Sequence, residues 1–401
     1  MEDTVFRCKI CNMFFQYRKV LLRMLCVLSI LISAIFGWYF LLGGRNWIIY
    51  TWHKEHELPS FEASTSSAPL YNDDQIVEVL ENYAWLKENY DLKQVVKDSY
   101  VIPGLKSSVT LEDWNDNTAG PSHCTSLTPQ GVALTEDYLL ISAYCHTGRH
   151  HSVIQVVDRD THTFVKTVVL FDMSHVGSLT YDSDHDFIWV CCHDDDRGYA
   201  YVRGFSLSDM ESYDFSSGLP ITFTKNYPIK SQKRASFMTY DAGALYIGYF
   251  STDMNGKFTV QRFDMTDDGD LLLYPNIDKA DASEPDTVAM PTMKEVINGG
   301  MQGYARNEHT TVILRSYGSN NPSKILLFDQ QQDDIGMKDL TNANARETGI
   351  LPPMAEEAAV EGDDLFICFE SAAYAYRARK TDHIDRIIVL KESSRKKDFK
   401  E

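Results

Sequence analysis

A chain of 401 residues that is 44% hydrophobic and 12% aromatic can build a sizeable core and lacks the composition of a disordered chain. Its formal charge of −19 is uneven: residues 1–44 hold Arg7, Lys9, Arg18, Lys19 and Arg23 against Glu2 and Asp3, a net +3 that leaves −22 on the rest. An acidic body of this kind repels a phosphate backbone and argues against a nucleic-acid partner; its plainest role is solubility.

Residues 1–23 read as a cytoplasmic tail. From Met24 to Leu42 the chain runs MLCVLSILISAIFGWYFLL, nineteen residues without a charge, which as a helix span about 30 Å, the depth of a bilayer's hydrocarbon core. Trp38 and Tyr39 stand near the far end, where amphipathic rings prefer the interface. Basic residues precede the segment and only Arg45 follows closely. The positive-inside rule therefore predicts a single-pass cell-membrane protein with a cytoplasmic N-terminus and an extracytoplasmic C-terminal domain. The rival is a cleaved signal peptide, but the bulky WYFLL run before Gly43 and Gly44 lacks the small residues of a cleavage site and favours an uncleaved signal anchor. Cys8 and Cys11 form a CKIC pair, two ligands short of a closed zinc site unless the tail dimerises.

Residues 43–71 read as a polar linker, rich in Ser and Pro toward its end. Over 72–98 the spacing of Ile76, Leu80, Tyr83, Ala84 and Lys87, with Asn72 or Asp73 as cap, predicts one amphipathic helix packed on the edge of the C-terminal domain. From 99 to 392 the pattern changes to short β-type runs, as in YLLISAY (138–144), VIQVV (153–157) and FVKTVVL (164–170). One order of events recurs: a lead-in bearing Gly or Ala, a first strand, an acidic or Gly-bearing turn, a bulky second strand, a third strand ending in a polar residue, and a variable fourth. Lead-ins and second strands are PQGVALTEDYLLISAY (129–144), SHVGSLTYDSDHDFIWVCC (174–192), KRASFMTYDAGALYIGYF (233–250), MQGYARNEHTTVILRSYG (301–318) and MAEEAAVEGDDLFICFES (354–371). Third strands are SVIQVVDR (152–159), AYVRGFSL (200–207), FTVQRFDM (258–265), SKILLFDQ (323–330) and DRIIVLKE (385–392).

Five units spaced by 45 to 68 residues are the size of four-stranded blades. The predicted fold class is therefore all-β: a five-bladed β-propeller, with six blades as the alternative, preceded by one transmembrane and one amphipathic helix. A β-sandwich would not repeat the same four-step order. The fifth unit lacks a fourth strand, while residues 100–111 form an orphan strand upstream; placed in the vacancy, it closes the ring from both ends and removes an exposed edge. Residues 393–401 form a charged tail.

The stretches PQGVALTEDYLLISAY, HSVIQVVDRDTHTFVKTVVL, SHVGSLTYD, RASFMTYDAGALYIGYF and FES resemble a group of secreted or membrane-anchored propellers of Gram-positive bacteria, similar in style to NHL and YncE-like propellers. The resemblance spans about residues 100–392. It implies the fold and a bacterial cell-envelope setting, and no chemistry.

In a propeller the innermost strands line a channel, and the loops leading into them crowd one face. In the register above, the equivalent lead-in positions are Gln130, His175, Arg234, Gln302 and Glu356. The ends of the second strands add Tyr144, His193, Tyr249, Tyr317 and Glu370. Amide, imidazole, guanidinium and carboxylate converging on one point suit a small polar ligand; alternatively they bond one another and plug the channel.

Other features read as structure. His146, His150 and His151 fit a solvated hairpin better than a metal site. The HDDD run from His193 fits a hairpin tip. Asp264–Asp270 fits a plain turn, because Pro275 stands where a calcium loop needs its Glu. Cys124, Cys145, Cys191, Cys192 and Cys368, odd in number and irregular in spacing, are expected to be buried thiols, with Cys124 and Cys145 best placed to bridge if any pair does. No metal and no cofactor is expected, and GxSxG, HExxH and phosphate-cradling glycine loops are absent from the sequence.

Three functions compete. A binding module would hold a small polar or envelope-derived ligand, or a partner protein, at the channel face. A hydrolase, lyase or cyclase would use Glu356 or Glu370 as general base with His175 as partner, and would show a carboxyl of raised pKa beside a deep pocket. A scaffold would show a filled channel. The topology has a direct test: a reporter fused after residue 60 is expected to be active only outside the cytoplasm, and cytoplasmic activity would overturn the anchor reading.

Overall fold

The computed structural model describes residues 2–41, 64–115, 118–194, 198–279, 284–330 and 339–396. The expectations for residues 43–63, for the hairpin tip at 195–197 and for the tail beyond 396 lie outside them. In the N-terminal unit a helix runs from Glu2 to Leu41. Its stretch Val20–Trp38, 19 residues, is long and apolar enough to cross a membrane.

The C-terminal unit is a five-bladed β-propeller of antiparallel four-stranded sheets. From the axis outward, blade one comprises Leu127–Leu134, Tyr138–Cys145, Val153–Asp158 and Phe164–Val169. Blade two comprises Leu179–Asp182, Phe187–Asp194, Tyr199–Ser206 and Lys225–Ile229. Blade three comprises Phe237–Asp241, Ala244–Gly248, Lys257–Asp264 and Met293–Asn298, with Asp339–Leu340 added in parallel at its outer edge. Blade four comprises Met301–Arg306, Thr310–Arg315, Ser323–Asp329 and Glu347–Leu351. Blade five supplies Ala355–Glu361, Asp364–Phe369 and Arg386–Leu390, and its outer strand is Tyr100–Val101 from the other end of the domain.

Second strands such as YLLISAY are apolar on both faces because each blade is sandwiched between two neighbours. The core is accordingly divided among the five blade interfaces. Leu140 and Val156 meet Leu179 and Val190 between blades one and two. Trp189 and Val202 meet Leu245 and Phe263 between two and three, and Tyr246 meets Tyr304 and Ile313 between three and four. Val312 and Ile325 meet Ile367 and Ile388 between four and five, where Ile76, Leu80 and Val95 also pack. Phe366 and Val389 meet Leu139 and Val157, which closes the ring.

Three expectations are refined. The helix predicted over 72–98 is divided into Asp73–Glu81, Ala84–Asn89 and Leu92–Asp98. Asn72 caps the first through a capping box with Gln75, and Asp91 restarts the third by accepting the N–H groups of Lys93 and Gln94. The orphan strand is short: the chain turns at Gly104, where φ is +84°, and Ser108–Asn115 pairs instead with Thr118–Cys124 in a separate hairpin. The end of the predicted linker is packed. Ser66 Oγ accepts the N–H of Ser107 at 3.2 Å, and Thr65 Oγ1 lies 2.7 Å from Thr167 Oγ1.

The closing segment is clamped by a buried ion pair. Asp385 Oδ2 accepts the N–H groups of Leu70 and Tyr71 at 2.7 and 2.9 Å. Arg386 reaches Asp73 Oδ1 at 2.8 Å, the carbonyl of Tyr71 at 2.9 Å and Asp385 Oδ1 at 3.1 Å. Arg386→Ala would leave the Asp385 carboxylate without its counter-charge, at a cost of about 3–5 kcal/mol. Urea unfolding measures this; a loss below about 1 kcal/mol would show that the clamp does not hold the closing strand.

Candidate functional site

The inner strands of blades one, four and five each carry one extra residue relative to their partner strands. The pairing shifts between Pro129 and Val132, between Met301 and Gly303, and between Ala355 and Ala358. These β-bulges fall on Gln130, Gln302 and Glu356, and a bulge re-aims a side chain out of the regular alternation. In blades two and three the inner strands begin later, so His175 and Arg234 stand in the loops that lead into them. His175 precedes Val176, a β-branched residue held at φ +44°. Strain of that kind persists only where surrounding structure fixes it, and here the Val176 carbonyl accepts the Ser142 hydroxyl at 2.8 Å.

All five lead-in residues line one cavity of about 430 Å³ at the axis, shared with Tyr144, Glu370, Tyr376, Phe250 and the small residues Gly177, Ala235 and Ser236. Tyr144 stacks on His175 with ring centroids 4.0 Å apart, and its hydroxyl lies 3.2 Å from His146 Nδ1. Gln130 is buried; its amide donates to the carbonyl of Pro129 at 2.9 Å and to Glu370 Oε2 at 3.3 Å. Arg234 is exposed at the rim. Neither Arg234 nor Gln302 is engaged through its side chain by another described residue, so both are available to an incoming group.

The floor of the cavity holds two carboxyl groups from blade five. Burial pushes Glu356 well above the ordinary range near 4.5, and the neighbouring Glu370 carboxyl adds to the rise. Glu370 is pushed up to about 7, again by burial first, with hydrogen bonds to Glu356, Tyr376 and Gln130 and the charge of Arg379 opposing the rise. Two carboxyls in contact cannot both ionise cheaply, so the pair retains at least one proton at neutral pH. Glu357 turns elsewhere: its Oε1 accepts the N–H groups of Tyr304 and Ala358 at 3.1 and 3.0 Å, filling space among the inner strands.

Two expected residues, Tyr249 and Tyr317, do not line the cavity. Tyr249 sets its ring edge-on against Phe258 at 5.7 Å, and the next residue, Phe250, takes the wall position. Tyr317 is 46% exposed and stacks behind Phe250 at 6.4 Å. The side chain of His193 lies outside the described residues. Tyr376 has no counterpart in the repeat; it comes from a short helix, Tyr374–Arg377, inserted after the second strand of blade five.

The solvated-hairpin reading of the histidine cluster is corrected in part, since His150 and His151 are 2% and 5% exposed beneath the 108–124 hairpin. His151 bridges the carbonyl of Leu170 and Asp113 Oδ1, both at 2.8 Å. Asp264–Asp270 is a plain turn, with Gly269 at φ +72° and Asp270 held by Lys225 at 2.9 Å. The five cysteines of the C-terminal unit are buried and carry free thiols.

Fold and cavity together define a five-bladed β-propeller with an axial polar pocket, in a chain that also carries an apolar N-terminal helix. No family model and no curated protein matches the sequence. Among solved structures the chain is similar to Kuenenia stuttgartiensis hydrazine synthase, at 12% identity and a TM-score of 0.30, over 64% of this chain and 58% of that one. It is also similar to the β-propeller domain of the Trilobed protease from Pyrococcus furiosus, at 7% identity and a TM-score of 0.30, over 62% of this chain and 79% of that one. Similarity at this distance says nothing about the pocket.

The buried carboxyls set a pH dependence. Folding raises their affinity for protons, so the native state holds more protons than the unfolded chain once pH exceeds the ordinary value near 4.5. Their contribution to stability is complete below that value and is lost as pH rises through about 7 and beyond. Urea midpoints should therefore fall between pH of about 5 and about 8, and Glu356→Gln should flatten the decline. An unchanged slope in that variant would show that the pair does not share a proton.

Proposed function

We propose that the chain is a membrane-anchored extracytoplasmic propeller that binds a small polar, envelope-derived ligand in its axial cavity. The apolar N-terminal helix supports the anchor, the charge distribution around it supports the orientation, and the resemblance to Gram-positive propellers supports the envelope setting. The observation that carries the binding reading is the convergence of uncommitted Arg234 and Gln302 with a carboxyl pair that keeps a proton. Such a set offers a cation, an amide and an acidic O–H donor over the Tyr144 and Tyr376 rings. It suits a ligand that carries a carboxylate together with amide or hydroxyl groups. A partner protein presenting such a group at the channel face is a variant of the same reading.

A second reading rests on the same pair. A carboxyl with raised pKa beside a cavity, with His175 stacked nearby, is the arrangement expected of a propeller-type hydrolase, lyase or cyclase using Glu356 or Glu370 as base. A thermal-shift screen of acidic and neutral envelope fragments separates the two. Binding predicts that an acidic fragment stabilises the wild type and that Arg234→Ala abolishes the shift while leaving the apo melting temperature unchanged, since Arg234 is exposed. Catalysis predicts that Glu356→Gln retains the shift but loses turnover of the same fragment. If no fragment shifts the wild type, the cavity-binding reading fails.

A further inference from the structure

The turn after Tyr144 leads into a second constellation that takes no part in lining the axial cavity. Cys124 ends the separate hairpin, Cys145 ends the second strand of blade one, and His150 closes the turn between that blade's second and third strands. Their exposures are 0%, 4% and 2%. One donor atom from each lies within 4.8 Å of the others. Cys145 Sγ is 3.2 Å from His150 Nδ1 and 2.9 Å from the Thr147 hydroxyl. The far nitrogen of the ring, Nε2, faces Glu112 Oε2 at 3.9 Å. Glu112 is itself held by Arg149 at 2.8 Å and by the Ser122 hydroxyl at 3.2 Å. Beside Cys124, the N–H of Ser126 donates to the sulfur at 3.4 Å, while the buried Ser126 hydroxyl has no hydrogen-bond partner among the described residues.

We propose that Cys124, Cys145 and His150 hold a divalent metal ion of the zinc class, bound by two thiolates and the imidazole Nδ1, with Glu112 accepting the Nε2–H from behind. Tetrahedral coordination at about 2.3 Å to sulfur and about 2.0 Å to nitrogen places donor atoms roughly 3.5–3.8 Å apart, which this cluster reaches with small side-chain adjustments. A carboxylate behind a ligating imidazole fixes the tautomer and strengthens the ligand. The fourth corner falls to the Thr147 hydroxyl or to a water that also satisfies Ser126. Binding releases the thiol protons to solvent. The ion would staple the 108–124 hairpin to blade one, next to Tyr144 in the cavity wall.

The test uses the full chain in detergent, reduced, with Cys8 and Cys11 replaced by serine so that the tail cannot compete. After chelator treatment it is titrated with Co²⁺ and then Zn²⁺. One equivalent of Co²⁺ should produce thiolate-to-metal charge-transfer bands and tetrahedral ligand-field bands, both erased by Zn²⁺. Cys145→Ser and His150→Ala should lose these bands, and Cys191→Ser should keep them. Glu112→Gln should keep the bands with affinity about 10–100-fold weaker. Circular dichroism checks that each variant is folded; where a cysteine variant fails to fold, the parent titration and Glu112→Gln decide. A folded parent chain without charge-transfer bands would overturn the proposal. So would a Cys124–Cys145 disulfide found by non-reducing peptide mapping of the isolated protein.

Discussion

Everything in the C-terminal unit depends on five inner strands meeting around one axis, so close at Gly131, Gly177 and Gly303 that no Cβ fits there. A Cβ on Gly177 would come within 2.5 Å of the Ser236 carbonyl, and one on Gly131 within 2.8 Å of Ser178 Cα. Backbone and short hydroxyls therefore carry the contacts from blade to blade. Ser178 Oγ receives the N–H of Met238 at 3.0 Å, and Thr180 Oγ1 receives that of Tyr240 at 2.9 Å. Close approach at the axis forces the blades to splay outward, and the widening wedges are filled by the five apolar interface clusters. Because the ring has no free edge, the last interface must be completed by residues from both ends of the domain, which explains the clamp of Asp385 and Arg386 on the segment before Tyr100.

The same crowding explains where chemistry can be placed. A regular inner strand would direct alternate side chains into its neighbours, and only an interruption frees one for the channel mouth. Three blades interrupt the strand with a bulge, and two begin it late. Gln130 and Gln302 are each followed by a glycine that lies against the next inner strand, so the polar residue and the packing residue are adjacent in sequence but opposite in task. The cavity is thus a by-product of ring geometry that polar side chains have occupied, rather than a pocket added by long loops.

That logic also accounts for what could be read from the residues. The five repeats were legible because each blade repeats one order of turn and strand, and the lead-in residues were legible because polar side chains recur where small ones would suffice. The bulges were not, since a single extra residue leaves no mark in the period. Tyr249 and Phe250 exchanged roles because the strand ends at Gly248, where a Cβ would run into the Phe237 ring, and the alternation does not continue past it. Tyr376 sits in an insertion outside the repeat. The burial of His150 depends on a hairpin that residues 108–124 form far upstream, and local polarity carries no trace of a cover supplied from elsewhere in the chain.

The charge of the domain does not by itself decide what the cavity can hold. Beyond residue 44 the chain carries −22, which at long range repels an anion. Inside the cavity the two carboxyls are held partly protonated by burial and by each other, and the guanidinium groups near them are Arg234 at the rim and Arg379 over the Tyr376 ring at 4.5 Å. The long-range repulsion is screened beyond about 8 Å at physiological salt. On the proposed reading this couples ligand charge to proton occupancy. An anionic group beside the carboxyl pair makes ionisation of the pair costlier and so tightens its hold on the shared proton. Deprotonation of the pair, in turn, cancels the field of Arg234 and releases the anion. The acidity of the domain and the burial that keeps a proton on its carboxyl pair are thus separate features, and on the proposed reading only the second bears on what the cavity can hold.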